Sequence, residues 1–174
     1  MPSAPTTALI AGLAVTLSAC AGDVGPAEQP SFYRSMASPT AELDATAAAS
    51  MISGYRQNNG LAAVTLDPAL MQLAQTQARA MAARDKVDHD AKGEFAKRMK
   101  ASGFDAKVAV ENISAGYHTL AEAFSGWRDS PPHRANMLKD GVTRIGIAAV
   151  YTPNSKYKVF WALILATPDD GTKG

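Results

Sequence analysis

An unbroken apolar run near the carboxyl end of the chain, residues 159–165 (VFWALIL), is the feature that most restricts the fold. It lies within a strand predicted at residues 157–167, which follows a predicted strand at residues 144–151. A strand that is apolar on both faces must be covered on both faces, so it belongs in the interior of a sheet. The run therefore predicts a sheet with helices on each side, and a chain that mixes helices with strands.

Helical periodicity and capping residues predict the elements ahead of these strands. A first helix opens near Ala41, and a second begins at Asp67 and Pro68, an N-cap followed by proline at the first helical position. A short third helix and a strand at residues 108–114 come next. The buried stripes predicted for the second and third helices are Leu70, Leu73, Ala74, Gln77, Ala78 and Met81, and then Phe95 and Met99.

Composition limits the partners of the chain. Its 174 residues suffice for one domain, with 47% hydrophobic residues, 19% charged residues and a net charge of +1. A chain this close to neutral has no field that would direct it to nucleic acid, so no nucleic-acid partner is predicted. The sequence leaves the oligomeric state open.

Cys20 is the single cysteine, and it follows an apolar run at residues 9–19 that is too short to span a bilayer. The run has the length of the apolar core of an export signal, and the letters LSAC at residues 17–20 resemble a bacterial lipobox. One feature disagrees with an export signal: residues 1–8 lack the usual Lys or Arg. The alternative to a lipoprotein is an ordinary cleaved signal with an incidental thiol. We predict a lipoprotein signal peptide at residues 1–19, with lipidated Cys20 as the membrane anchor.

The remaining boundaries follow from this interpretation. Residues 20–40 are predicted to be a lipid-anchored tether, residues 41–167 the folded domain and residues 168–174 a polar tail. The expected location is the bacterial cell envelope, with Ala21 after the cysteine favouring the outer membrane, facing the periplasm.

Two histidines and one glutamate are the candidate functional residues. His89 lies in a charged loop, where solvation alone would explain it. Glu111 lies among apolar residues of a predicted strand, where a carboxylate is costly unless it reaches solvent or a partner. His133 falls in the first turn of a short helix that the Ser130 hydroxyl would cap and Pro131 would begin, so the positive helix end would keep its imidazole neutral. Taken one at a time, each residue has a structural explanation.

The sequence around these residues resembles that of the CAP superfamily (cysteine-rich secretory proteins, antigen 5, pathogenesis-related 1), in particular its short bacterial, cysteine-poor branch. The matching pieces are His89, the ENI triplet at residues 111–113 and WRDSPPHRANML at residues 127–138. The resemblance implies an α+β fold, an α-β-α sandwich with a small, mainly antiparallel sheet of about three strands between helices. It also implies that His89, Glu111 and His133 line one cleft, with Ser130 where many eukaryotic members have a second glutamate.

Three functions are compatible with such a cleft. The favoured one is a binding module that holds a small lipid, peptide or cell-wall fragment, with a divalent metal such as zinc as the candidate cofactor. The second is a metal-dependent hydrolase, in which His89, Glu111 and His133 surround the metal and act in catalysis. The third is a structural envelope protein. The sequence has no nucleophile elbow and no glycine-rich phosphate loop, which favours binding.

Three neighbours of these residues are given minor roles. His118 has no motif support and is expected to be a bystander. Asp129 would serve as a replacement base only if its side chain turned inward, which is not expected. Asn136 is expected to tie its loop to the rest of the domain.

Overall fold

The structure is a computed structural model that describes residue 1 and residues 29–169. Cys20, the predicted signal peptide apart from residue 1, and most of the predicted polar tail lie outside the described residues. Along the described chain the elements are a short 3-10 helix (Ser31–Tyr33), α1 (Ala45–Gln57), β1 (Thr65–Leu66), α2 (Pro68–Arg84), α3 (Phe95–Ala101), β2 (Ala106–Ala115), α4 (Leu120–Asp129), α5 (Pro131–Met137), β3 (Arg144–Tyr151) and β4 (Val159–Pro168). A search of the same residues finds no helix that combines the length and the apolar content needed to cross a membrane.

The described strands form one sheet in the order β1-β3-β4-β2. β4 lies between β3 and β2, pairs antiparallel with both, and is buried throughout residues 159–166. The apolar run is therefore central, and the predicted fold class is confirmed. The sheet has one strand more than expected, because the two residues of β1 pair in parallel with β3. A strand of two residues is too short to show the alternation by which strands are recognised in a sequence.

Alternate residues of β4 face two separate cores, one on each side of the sheet. Trp161 and Leu165 belong to the core under α1, α4 and α5, which we call the α1 layer. Phe160 and Ile164 belong to the core under α2 and α3, which we call the α2 layer. In the α1 layer, Trp127 of α4 meets Trp161 edge to face, with ring centroids 6.5 Å apart. The chain thus forms the expected sandwich, with β4 supplying side chains to both layers.

The α2 layer lies close to the sheet at Gly146 of β3. A Cβ atom at this position would lie 2.1 Å from the carbonyl carbon of Leu70 in α2, far inside van der Waals contact. Glycine therefore allows the backbone of α2 to rest directly on β3.

The segment ahead of α1 packs on the domain. Met36 is 6% exposed and its N–H donates to the carbonyl oxygen of His118 at 2.6 Å. The Ser31 hydroxyl donates to Asp44, the N-cap of α1, at 2.7 Å. In the described part of the predicted tether, residues 29–40, the chain thus packs on the domain from near Ser31 onward.

Arg56, in the last turn of α1, is fully buried and bonds four carbonyl oxygens. Its Nε donates to Ala62 (2.9 Å), Nη1 to Met137 (2.8 Å) and Lys139 (2.9 Å), and Nη2 to Val142 (3.1 Å). Burial holds the pKa of the guanidinium below its usual value. Arg56 thus fixes the loop after α5, and with it the end of the helix that carries His133.

Candidate functional site

His89 lies in the loop between α2 and α3, and a buried amide holds that loop in place. Gln77 of α2 is fully buried, and its Nε2 donates to the carbonyl oxygens of Asp88 (2.7 Å) and His89 (3.1 Å). The sequence placed Gln77 in the buried stripe of the helix. Because buried polar side chains are nearly always hydrogen-bonded, a glutamine in a buried stripe indicates a bond to a neighbouring segment, here the loop of His89.

Glu111 of β2 is the buried acid of the site, with 5% of its surface exposed. Its Oε1 lies 2.8 Å from Nδ1 of His89 and 3.0 Å from Nη2 of Arg98. Its Oε2 lies 2.8 Å from the same Nη2. Both carboxylate oxygens therefore accept bonds from cationic or imidazole donors of the protein.

Arg98 of α3 is the partner that allows Glu111 to be buried. It is 6% exposed, and it also donates from Nε to the carbonyl oxygen of Gly93 (2.9 Å) and from Nη2 to that of His89 (3.0 Å). Its guanidinium carbon lies 5.2 Å from the centre of the Phe95 ring. One side chain thus fixes both the Glu111 carboxylate and the backbone of His89.

Sequence reasoning missed Arg98, although a signal existed. Arg98 lies between Phe95 and Met99, which were predicted to form the buried stripe of this short helix. A buried carboxylate at Glu111 requires a cationic or hydrogen-bonding partner, because an isolated buried charge is very costly. An arginine on a buried stripe was the natural candidate.

His133 reaches the site from the opposite layer of the fold. It lies in α5, half-buried, and its carbonyl oxygen accepts from Nδ2 of Asn112 at 2.9 Å. Asn136 donates from Nδ2 to the carbonyl oxygen of Glu111 (3.1 Å) and to Oδ1 of Asn112 (2.9 Å). The prediction that Asn136 ties its segment is confirmed, and the tie holds α5 against β2 beside Glu111.

Glu111 and Asn112 are consecutive residues of β2 that serve opposite layers. Glu111 pairs in register with Ile164, which faces the α2 layer, and Asn112 with Leu163, which faces the α1 layer. β2 is one of the two edge strands in the sheet order, so the site wraps around that edge of the sheet.

The two imidazoles have pKa values displaced in opposite directions. The hydrogen bond to Glu111 is the largest effect on His89 and raises its pKa, more than partial burial lowers it. Burial lowers the pKa of His133, and the nearby positive charge of His89 lowers it further. The predicted neutrality of His133 agrees with this direction, although the main cause is burial rather than the helix end. The two displacements favour the protonated form of His89 and the neutral form of His133.

Comparison with known proteins identifies the family of this chain. The family model described as CAP: Cysteine-rich secretory protein family matches residues 49–165. The chain belongs to the CAP family. It is 31% identical over 118 residues to YkwD of Bacillus subtilis (strain 168), a match that covers 60% of this chain and 46% of YkwD. This CAP chain thus spans about half the length of that relative.

Solved structures share the CAP fold at low sequence identity. An extracellular SCP-domain protein of Bacillus anthracis str. Ames superposes with a TM-score of 0.62 at 21% identity, over 70% of this chain and 39% of that one. An outer surface protein of Borrelia burgdorferi gives a TM-score of 0.63 at 18% identity, over 72% of this chain and 92% of that one.

A three-ligand metal set, as suggested for His89, Glu111 and His133, is not assembled by the CAP domain as described. Residues 1 and 29–169 contain no group of three or more His, Cys, Asp or Glu side chains arranged to hold a metal ion. Both Glu111 oxygens are already bonded, to Arg98 or to His89. Glu111 instead binds Nδ1 of His89, the kind of contact that orients an imidazole whose other nitrogen binds a ligand.

The structure also places the neighbouring polar residues. Ser130 is the N-cap of α5 by position, but its side chain makes no capping hydrogen bond, so the predicted hydroxyl cap is wrong. Pro132, at the second helical position, lacks one of the two N–H groups that an N-cap side chain can bond, which leaves fewer donors to satisfy. Asp129 bonds Arg128 at the surface (2.8 Å) and does not turn inward. His118 is exposed and takes no part in the hydrogen bonds around Glu111.

Proposed function

We propose that this CAP protein is an exported binding module of the bacterial cell envelope, anchored by lipidated Cys20, whose cleft of His89, Glu111 and His133 holds a small lipid, peptide or cell-wall fragment. The proposal rests on one observation above all: the Glu111 carboxylate is buried and occupied by Arg98 and His89. A general base must reach the proton that it removes. Glu111 is better placed to orient His89 than to act on a substrate, which supports binding over hydrolysis.

The chemistry of the cleft fits recognition of a polar group. The His89 side chain is 56% exposed, and with Nδ1 on Glu111 its Nε2 is the nitrogen left for a ligand. The raised pKa of His89 favours the protonated ring, in which Nε2 donates, and the lowered pKa of His133 favours the neutral ring, which offers an acceptor. A ligand that carries both an acceptor and a donor, such as an amide or a sugar hydroxyl, matches this pair.

A divalent metal such as zinc is part of the same proposal. His89 and His133 would provide the imidazole ligands, with Glu111 orienting His89 through Nδ1. When bound, such an ion supplies a Lewis acid and a site for water. A metal-dependent hydrolase is the second candidate, and the oppositely displaced histidine pKa values are the observation that favours it.

Two of the similar structures support the proposed cellular location. The B. anthracis protein is extracellular and the Borrelia protein is an outer surface protein. Export with lipid attachment at Cys20 predicts that Cys20→Ser moves the protein from the membrane fraction to the soluble fraction. Retention in the membrane fraction after that change would remove the anchor from the proposal.

NMR titration of the histidine side chains tests the cleft directly. We expect Zn²⁺ and a soluble cell-wall muropeptide, added separately, to shift the His89 and His133 ring signals, and His89→Ala or His133→Ala to weaken binding. His118→Ala is the matched control, since His118 is exposed and outside the cleft. If neither histidine responds to either probe, the cleft is not the binding site. If Glu111→Gln abolishes turnover of a muropeptide bond while ligand binding persists, the hydrolase is the better description.

A further inference from the structure

A groove between α2 and α3 forms a concave surface whose lining does not include His89, Glu111 or His133. It has a volume of about 460 Å³, and Arg98 and Lys92 form part of its wall. α2 contributes Leu73 and Thr76, and the segment ending α3 contributes Ser102. Arg98 is thus the one residue that belongs both to this groove and to the contacts of the cleft.

Arg98 carries one nitrogen that the cleft does not use. Nε and Nη2 bond carbonyl and carboxylate oxygens, as described above. Nη1 is buried and has no hydrogen-bond partner among the described residues. A buried guanidinium N–H without an acceptor costs free energy, so an oxygen supplied by a ligand would be stabilising.

Lys92 supplies a second free donor at the rim of the groove. Its side chain is exposed, and no ion pair or hydrogen bond engages its ammonium in the described part of the chain. Asp and Glu are absent from the residues that line the groove. The groove therefore combines Lys92, a cation that no acid in the lining neutralises, with the unpaired Nη1 donor of Arg98, whose own charge is balanced by Glu111. This combination suits a small anion.

Of the cationic and hydroxyl side chains of the groove, only two keep a donor free for a ligand, and together they suit a carboxylate. The Thr76 hydroxyl already donates to the Gln72 carbonyl oxygen, and that of Ser102 to the Met99 carbonyl oxygen. Arg98 Nη1 and the Lys92 ammonium remain, which suits the two oxygens of one carboxylate.

We propose that the α2–α3 groove binds the carboxylate of a small ligand, such as the free carboxyl end of a short peptide, between Arg98 Nη1 and Lys92. Leu73 and Ala101 offer apolar surface for a small side chain next to that carboxylate. Because Nη1 is covered, binding requires a side chain of the groove wall to move.

The test uses N-acetylalanine as the probe and its primary amide as the matched uncharged control. With the full chain in detergent micelles, we expect the acid to shift the backbone amide signals of Thr76, Ala101 and Ser102, and the amide to shift none of them. Lys92→Gln should weaken binding of the acid about tenfold or more, since a charge-assisted hydrogen bond is lost. Lys100→Gln, the same change on α3 outside the groove, should leave it unaltered.

Each other result overturns the proposal. If the acid and the amide bind equally, the groove does not recognise a carboxylate. If inorganic phosphate binds more tightly than the acid, the ligand is a phosphate. If Lys92→Gln binds the acid as well as the unchanged protein does, the acid does not bind at this site. Shifts confined to His89 and His133 would place the acid in the cleft. Binding at the cleft itself is measured separately by the histidine ring signals, so the failure of either proposal leaves the other standing.

Discussion

The pair Arg98 and Glu111 provides the sharpest energetic prediction of the structure. Both side chains are buried, with 5% and 2% of their side-chain surface exposed, and the shortest contact between them is 2.8 Å. Removing one partner leaves the other charge buried and unpaired, which costs about 3–5 kcal/mol. We therefore expect Arg98→Met and Glu111→Leu each to lower the free energy of unfolding by that amount.

The double variant should be no less stable than either single variant. It contains neither charge, and it lacks the bonds from Arg98 to the Gly93 and His89 carbonyl oxygens and the bond from His89 to Glu111. Three lost hydrogen bonds at about 1 kcal/mol each give a cost of about 3 kcal/mol. Independent effects would instead add to about 6–10 kcal/mol, twice the cost of one broken buried pair.

Urea unfolding followed by tryptophan fluorescence measures these differences, because Trp127 and Trp161 are both buried in the α1 layer. The control is the exposed pair of Lys97 and Glu94, for which we expect a coupling of about 0–1 kcal/mol. The reasoning is refuted if the costs of the two single variants add in the double variant, or if each costs less than about 1 kcal/mol, the upper end for an exposed pair.

Three further predictions follow from single features. The pKa of His89 is raised above its ordinary value of 6.5, so its contribution to stability is full below pH 6.5 and is lost as the pH rises through the folded pKa. The pKa of His133 is lowered below 6.5, so its contribution to stability is present above pH 6.5 and is lost as the pH falls through the folded pKa. Their joint contribution to the free energy of unfolding should peak near pH 6.5; His89→Ala should flatten the alkaline side and His133→Ala the acid side, and a profile unchanged by both would contradict this. Arg56→Met leaves four carbonyl oxygens without their donor and should cost about 3 kcal/mol or more in urea unfolding, since each unmade bond to a buried group costs about 1 kcal/mol; a loss under about 1 kcal/mol, the cost of a single such bond, would show that water replaces the arginine. Gly146→Ala forces a Cβ into the backbone of α2 and should lower the melting temperature, whereas Gly54→Ala, with no atom within 4 Å and a helical position, should leave it unchanged or raise it; equal effects would disprove the close approach.

Local patterns in the sequence sufficed for most of the fold. The run at residues 159–165 specified a central strand because no solvent-facing strand can be apolar on both faces. Asp67 and Pro68 located the start of α2, where the Asp67 side chain accepts from the N–H groups of Ala69 and Leu70. β1 escaped notice because two residues hold no period, and its pairing depends on β3, which lies far away in the sequence.

The site was predictable as a set of residues but not as a set of contacts. The sequence motifs picked out His89, Glu111 and His133. In the structure His89 bonds Glu111, and α5, which carries His133, is held beside them. The role of Arg98 depends on where α3 lies over the sheet, which periodicity does not give. Met36 shows the same limit, because its burial arises from a tertiary contact and not from the composition of its segment.

The position of the site around β2 gives it a mechanical role. Since Glu111 and Asn112 point to opposite faces of one edge strand, His89 is held by the α2 layer and His133 by the α1 layer. A ligand that contacts both imidazoles would therefore link the α1 layer and the α2 layer of the sandwich. Slow amide hydrogen exchange should then extend on binding to α2 and α5 together, although the two helices lie in different layers.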